Sequence, residues 1–423
     1  MTKQFKENIY EWIDKNEQKA VKLLQRLVQE KSVQGSESAA QAIVVEVCRE
    51  LGFQIDIWEP NFKELEQNEN FISNRKDFMN SPNVVAVMKG SGSGGNSIIL
   101  NGHIDVVPEG EENQWNEAPY SGVVKEGKIY GRGTTDMKGG NVALLLAMEA
   151  IQQCGVKLKG DVIFQSVIEE ESGGAGSLAT ILKNYHADAV LIPEPTNMKI
   201  FPKQQGSLWF RLKVHGRSAH GGTRYEGVSA IEKSVTVMEY VKDLETFRNS
   251  KIKDPLYSNI PIPLPINIGK IAGGNWPSSV PDLVTVEGRI GVGPDETIEE
   301  VKAELANKLV SLQKEDSWFI ENPVELEWFG ARWLPGSIPL DHSFLQVLSN
   351  NYLDVTKEKP IVEASPWGTD GGLFTNVANI PTVVFGPGVT EVAHYPNEYI
   401  EIKKMIQAAK IVASTLVDWC KVE

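Results

Sequence analysis

Apolar residues recur at helical spacing through the first 30 positions, at Ile9, Trp12, Ile13, Ala20, Leu23, Leu24 and Leu27. A second amphipathic stretch predicts a helix over residues 36–51, and the alternation in FQIDIWEP predicts a strand. Residues 61–82 are polar with few apolar anchors and read as an excursion or mobile loop. The runs NVVAVMKG, NSIILNGHID, GDVIFQSVIEEE and ADAVLIPEP are apolar and β-rich, with helical segments over 139–153 and 176–184 between them. Strands alternating with helices predict an α/β domain with a mostly parallel central sheet.

After Gly206 the pattern changes. SLWFRLKVHGRS alternates apolar and polar residues, as a strand with one buried face does. A helix over 229–242, a proline-rich loop, the strands INIGKIAGG and DLVTVEGRIGV, a helix over 297–313 and the strand PVELEWFG follow. That β-α-β-β-α-β order describes a small α+β, ferredoxin-like unit. From about Ala331 the α/β character returns, ending with IPTVVFGPG and a helix over 402–421. The expectation is one domain over 1–206 and 331–423, with a second domain, 207–330, inserted into it.

A length of 423 residues exceeds what one hydrophobic core usually supports, in keeping with two domains. The net charge of −14 argues against a nucleic-acid footprint or an anionic membrane surface. Cys48, Cys154 and Cys420 are widely spaced and form no CxxC pair, which suits a reducing compartment and excludes a thiolate zinc site. The charged N-terminal stretch lacks the apolar core of a signal peptide, and no run approaches the roughly 20 apolar residues of a membrane span. A cytoplasmic location is expected.

The chemistry gathers at strand ends. His103 and Asp105 close the run IILNGHID, Asp136 sits in GRGTTDMKGG, Glu169-Glu170-Glu171 follow VIFQSVI, Glu194 lies in IPEPT and His394 in GVTEVAHYPNEYI. In a parallel sheet this is the carboxyl edge, where ligands collect. Each has a plain reading alone: Asp136 as an N-cap, the Glu run as a solvated face, Glu194 as a turn residue, His394 as a surface or core histidine. Together they change the balance, because carboxylates converging on one edge repel unless a cation neutralises them. Nitrogen and oxygen donors without sulfur suit zinc, with manganese or cobalt as alternatives.

GHIDVVP, YGRGTTDMKGG, EEESGG, PEPT, GRSAHGG and AHYPNEYI occur in the order seen in the acetylornithine deacetylase, succinyl-diaminopimelate desuccinylase and aminoacylase family, which this chain resembles from about residue 20 to 410. The members are dinuclear zinc amidohydrolases and peptidases with an inserted lid or dimerisation domain. The resemblance implies two Zn2+ ions bridged by Asp136, with His103 and Glu194 on one and Glu171 and His394 on the other. Asp105 would hydrogen-bond the His103 imidazole and fix its tautomer. Glu170 would be the general base, and the peptide bond after Asp136 would be cis.

The resemblance further implies that His220 reaches a neighbouring subunit's active site to stabilise the oxyanion, so a homodimer through the inserted domain is expected. Arg289 in VEGRIGV occupies the place of an arginine that often binds a substrate carboxylate; the plain alternative is a salt-bridged strand arginine. The substrate motifs depart from the pattern. GGNWPSSVPD has Ser279 where many members have asparagine, with Asn275 slightly earlier, and WGTDGGLF has Gly372 where desuccinylases have arginine. Trp276, Trp333 and Trp367 are either core residues or an aromatic pocket. The expected activity is hydrolysis of a small N-acyl amino acid in the manner of acetylornithine deacetylase. A dipeptidase or carboxypeptidase, a deformylase of a heterocyclic amine and a non-catalytic metal-binding protein are the alternatives; no Gly-x-Ser-x-Gly elbow supports a serine hydrolase.

Overall fold

A computed structural model describes residues 2–92 and 94–423. The chain divides into two units. One runs to Lys203 and takes up the chain again at Gly336–Glu363 and Thr369–Glu423; the other comprises Gln204–Pro335 and Ala364–Gly368. The five-residue segment Ala364–Gly368 departs from the expected partition. Gly368 explains it: a side chain there would overlap Trp333, so this backbone is packed tightly against the end of the Glu325–Trp333 strand.

In the first unit one sheet carries the strands in the order Gln54–Trp58, Asn83–Met88, Val162–Val167, Ile98–His103, Val190–Ile192, Thr382–Val384, Ile200–Gln204 and Gly336–Ser337. The four central strands, Val162–Val167 to Thr382–Val384, pair in parallel, and the strands flanking them are antiparallel. Ile98–His103 and Val162–Val167 are buried at every position, which is why they read as continuous apolar runs and not as alternating ones. The helix Gly139–Gln153 packs against Ile402–Cys420, which in turn receives Thr2–Lys15 and Ser343–Thr356. Among the described residues no helix is long and apolar enough to cross a membrane.

The excursion at 61–82 is packed where a mobile loop was one expectation. A short helix, Phe62–Leu65, is capped by Asn61, and Phe62, Phe71 and Phe78 stack edge to face with centroids 5.5 and 6.4 Å apart. Phe78 is buried and Arg75 lies over its ring. Three aromatics at irregular spacing make a small cluster with no periodic signature, so hydropathy alone does not reveal it.

The second unit is a four-stranded antiparallel sheet in the order Ile266–Gly273, Leu283–Val292, Gly206–His215, Glu325–Trp333. Leu208, Phe210, Leu212 and Val214 point to one face, where they meet Val237, Val241 and Leu244 of the helix Ala230–Ser250 and Val301, Leu305 and Leu309 of Ile298–Ser311. The second helix starts at a capping box: Thr297 Oγ1 accepts from the Glu300 N–H, and Glu300 Oε2 accepts from the Thr297 N–H. The first helix runs eight residues beyond the expected 242, because Leu244 and Arg248 continue its buried face.

Candidate metal centre

His103, the Glu169–Glu171 run and Glu194 are delivered by the ends of central parallel strands or by the turns beyond them, and Asp136 and His394 by turns of their own. Ile98–His103 ends on His103 itself, Val162–Val167 is followed by Glu169–Glu171, and Val190–Ile192 by Pro193 and Glu194. Asp136 lies in an irregular turn before Gly139–Gln153, with a cis peptide bond to Met137. His394 follows the Thr390–Val392 turn with a left-handed backbone, φ +65°. The glycine pairs in the motifs have a packing cause. A Cβ at Gly102 would overlap Asn141, whose side-chain N–H donates to the His103 carbonyl at 2.7 Å, and a Cβ at Gly140 would overlap Pro193. Those glycines let the helix approach the strand ends that carry His103 and Glu194.

Asp136 stands between the two imidazoles. His103 Nε2 is 3.1 Å from Asp136 Oδ1, and His394 Nε2 is 3.2 Å from Asp136 Oδ2. Glu194 Oε1 lies 3.8 Å from His103 Nε2, and Glu171 Oε1 lies 3.1 Å from His394 Nε2. Donor atoms of His103, Asp136 and Glu171, and of His103, Glu170 and Glu194, fall within 4.8 Å of one another. His103, Glu170 and Glu194 are buried, whereas His394 is half exposed.

The electrostatics of this cluster call for positive charge. Burial opposes protonation of His103, yet Glu194 and Asp136 hold its pKa well above the ordinary imidazole value. Glu171 foremost, then Asp136, lifts His394 to about 11 against the effect of burial. Burial, reinforced by Asp136 and Glu171, pushes Glu194 up to about 8. Burial also raises Glu170 well above the carboxylate range, with Glu194 and Asp370 adding to it. Two imidazoles and four carboxyl groups crowded into this space fit divalent cations, which would satisfy the acids and leave both histidines neutral.

Asp105 departs from its expected part. The strand stops at His103, so the alternation that was to bring the Asp105 carboxylate under the imidazole does not continue. The Asp105 main-chain oxygen meets His103 Nδ1 at 2.8 Å, while the carboxylate is 3.7 Å from it. That carboxylate accepts the Glu170 and Glu171 N–H groups at 3.3 and 3.1 Å, fastening one strand end to the turn after its neighbour.

The remaining named residues lie elsewhere. Gly372 is buried in the first turn of Gly371–Asn376, where its carbonyl accepts from the Asn376 side chain. His220, Asn275 and Arg289 belong to the second unit. The exposed His220 caps the 3-10 turn Gly221–Glu226, its Nδ1 accepting from the Gly222 N–H. Asn275 and Trp276 are exposed in the turn between two strands. Arg289 stands in register between Asn267 and Trp209, with Phe329 next along the row. Its guanidinium makes no hydrogen bond or ion pair among the described residues, and burial lowers its pKa.

Sequence reasoning passed over Glu398 and Arg132, a buried ion pair. Glu398 Oε1 accepts the N–H groups of Thr135 and Asp136 at 2.9 and 3.2 Å, so this pair sets the turn that presents Asp136. Both residues lie inside the quoted motifs; only their partnership was hidden.

A parallel α/β sheet with a nitrogen- and oxygen-donor cluster at its carboxyl edge defines a metal-dependent hydrolase. The family model described as Peptidase family M20/M25/M40 matches residues 99–418, and the chain belongs to that family of metallo-amidohydrolases and peptidases. It carries the dinuclear metal-binding site of the family. The chain is 31% identical to an N-formyl-4-amino-5-aminomethyl-2-methylpyrimidine deformylase of Halalkalibacterium halodurans, over 98% of this chain and 97% of that one. It is also 31% identical to the protein of the same name from Bacillus subtilis, over 90% and 89%. Its fold matches the solved structure of the di-peptidase Dug1p from Saccharomyces cerevisiae with a TM-score of 0.76 and 15% identity, over 98% of both chains.

Proposed function

We propose that this protein removes the formyl group from a small N-formyl amine, with a heterocyclic aminomethyl compound as the substrate type. Support for the formyl group comes from the two deformylases that match nearly end to end, and it displaces the deacetylase reading as the first expectation. The observation that carries the chemistry is Asp136, with one oxygen toward each imidazole. In this reading Asp136, His103 and Glu194 would hold one metal ion, and Asp136, Glu171 and His394 the other. Zinc is the metal expected from such donors.

When bound, such a metal pair supplies Lewis-acid polarisation of the amide carbonyl and lowers the pKa of the attacking water. Glu170, adjacent to Glu171 and nearly buried, takes a proton from that water as its oxygen bonds to the formyl carbon. The carbon–nitrogen bond then breaks as Glu170 returns the proton to the leaving nitrogen, giving the free amine and formic acid, which passes its own proton to solvent and leaves as formate. Asp105 holds both glutamate N–H groups, so the base and its neighbour keep one spacing. The uncommitted guanidinium of Arg289, between Asn267 and Trp209, suits an oxygen acceptor or the face of an aromatic ring.

A dimer through the second unit belongs to the same proposal, with His220 serving the partner's site. Its support is the outer strand Ile266–Gly273, where Ile271 is exposed, and the outward side chains Ile231, Val235 and Phe247 of the neighbouring helix. Light scattering is expected to give twice the chain mass, and a monomer at micromolar concentration would refute the dimer.

The deciding assay compares N-formyl, N-acetyl and N-succinyl amines and amino acids as substrates of the zinc-loaded protein. N-formyl amines should turn over fastest. Glu170→Ala should lose about 10²–10⁴-fold in kcat with its metal content unchanged. Preference for acetyl or succinyl substrates refutes the formyl reading, and an undiminished Glu170→Ala refutes the mechanism.

A further inference from the structure

The polar excursion reaches the turn that bears the base. Glu169 is fully buried and has a left-handed backbone, φ +64°, directly before Glu170. Arg75 Nη1 donates to Glu169 Oε1 at 3.1 Å and to Ser81 Oγ at 3.0 Å, and it lies 3.8 Å from the buried Glu37 carboxylate. Ser73 Oγ, Gln34 Nε2 and Ser172 Oγ donate to Glu169 Oε2 at 3.2, 3.0 and 2.9 Å. Ser81 Oγ donates to Glu37 at 2.6 Å. Two carboxylates without solvent thus share one cation, which is supplied by a segment outside the sheet. A left-handed backbone at a non-glycine residue is strained and persists only where its surroundings over-determine it.

We infer that Arg75 is a positioning residue for hydrolysis: through Glu169 it locks the Glu169–Gly174 turn, and thereby the Glu170 carboxylate, in the reactive arrangement. The Gly174 N–H closes that turn on the Glu169 carbonyl at 2.7 Å, and Asp105 holds its middle. Arg75 holds the side chain at its start. Removing the guanidinium leaves a buried carboxylate unpaired, so the turn relaxes outward toward water and carries Glu170 with it. An error near 1 Å in a catalytic group lowers the rate by about 10²-fold. The inference rests on Glu170 being the base.

The experiment uses the full-length zinc-loaded protein and its Arg75→Ala, Arg75→Lys, Glu169→Gln and Glu170→Ala variants. Four quantities are read: kcat and KM on the best N-formyl substrate, bound metal, Tm, and hydrogen–deuterium exchange of the peptide spanning 168–176. Arg75→Ala should lower kcat about 10- to 100-fold with KM within about threefold. Exchange over 168–176 should rise by about tenfold while other peptides keep wild-type rates. Arg75→Lys should recover part of both, and Glu169→Gln should resemble Arg75→Ala. Wild-type exchange and kcat in Arg75→Ala overturn the inference. A loss of kcat that tracks a general fall in Tm, with lysine no better than alanine, overturns it as well, since Arg75 would then only hold the fold. Failure of the underlying reading has its own mark: Glu170→Ala stays active. Faster exchange of the turn in Arg75→Ala still reports the clamp in that case.

Discussion

Replacing Gly140 by alanine tests whether close approach of a helix to a strand end sets the site. Gly140 lies in the first turn of Gly139–Gln153, four residues after Asp136. In an ordinary helix the change would stabilise by up to about 1 kcal/mol, because alanine is the better helix former. Here a Cβ would come 2.8 Å from Pro193 Cβ and closer still to the Pro193 carbonyl oxygen. Ordinary contact begins near 3.4 Å, so the helix and Pro193 must separate by more than 1 Å to clear that oxygen, which lies 2.2 Å away. The obstacle is backbone, which cannot swing aside as a long side chain can. Because Pro193 precedes Glu194 and the turn bearing Asp136 leads directly into the helix, that separation widens the gap between two of the proposed metal donors. Overpacking of this kind costs about 1–3 kcal/mol, more than the gain in helix propensity. A ligand displaced by most of an ångström should also cost about 10²-fold in kcat. The assay is kcat on an N-formyl amine together with metal stoichiometry after dialysis. Gly269→Ala, where the nearest atom to a new Cβ is 3.4 Å away, is the neutral control. A Gly140→Ala enzyme within twofold of wild type in both rate and metal retention refutes the reasoning.

Two further outcomes follow from buried and half-buried charges. Glu398→Gln leaves Arg132 buried without its carboxylate, with the carbonyls of His394, Tyr395 and Pro108 and the Trp115 ring as its remaining partners among the described residues. A cost of about 3–5 kcal/mol is expected, seen as a Tm lower by about 5 °C or more; a Tm within about 1 °C of wild type removes that role. Lys233→Ala removes the partner of Asp316, whose pKa is set by burial raising it and by the stronger opposing effects of Lys233 and the Trp318 N–H. The folded-state pKa is lower than the unfolded one, so the pair's contribution is fully present above about pH 4 and lost as pH falls through the folded value. The wild-type advantage of about 0.5 kcal/mol at pH 7 should therefore shrink as pH falls below about 4 in thermal or denaturant unfolding; an advantage that stays constant with pH refutes the assignment.

The alternation of strands and helices, the change of character after Gly206 and the clustering of acids and histidines at strand ends could be read without coordinates. Those features are local: an apolar run such as VIFQSV reports burial of its own backbone, and a strand's end fixes where the next residue emerges. The residues proposed as metal donors were legible for the same reason, since each sits within a residue or two of such an end or in its own glycine-marked turn. Tertiary structure alone decided how they are shared. Asp136 turns one oxygen to each histidine, and Asp105 serves the Glu170–Glu171 turn with its carboxylate and the imidazole only with its carbonyl. The pairs Arg132–Glu398 and Arg75–Glu169 join residues 266 and 94 positions apart. An isolated charge in a polar segment has no period, so nothing in its neighbourhood names its partner; that choice is made when packing closes water out and leaves one counter-charge within reach.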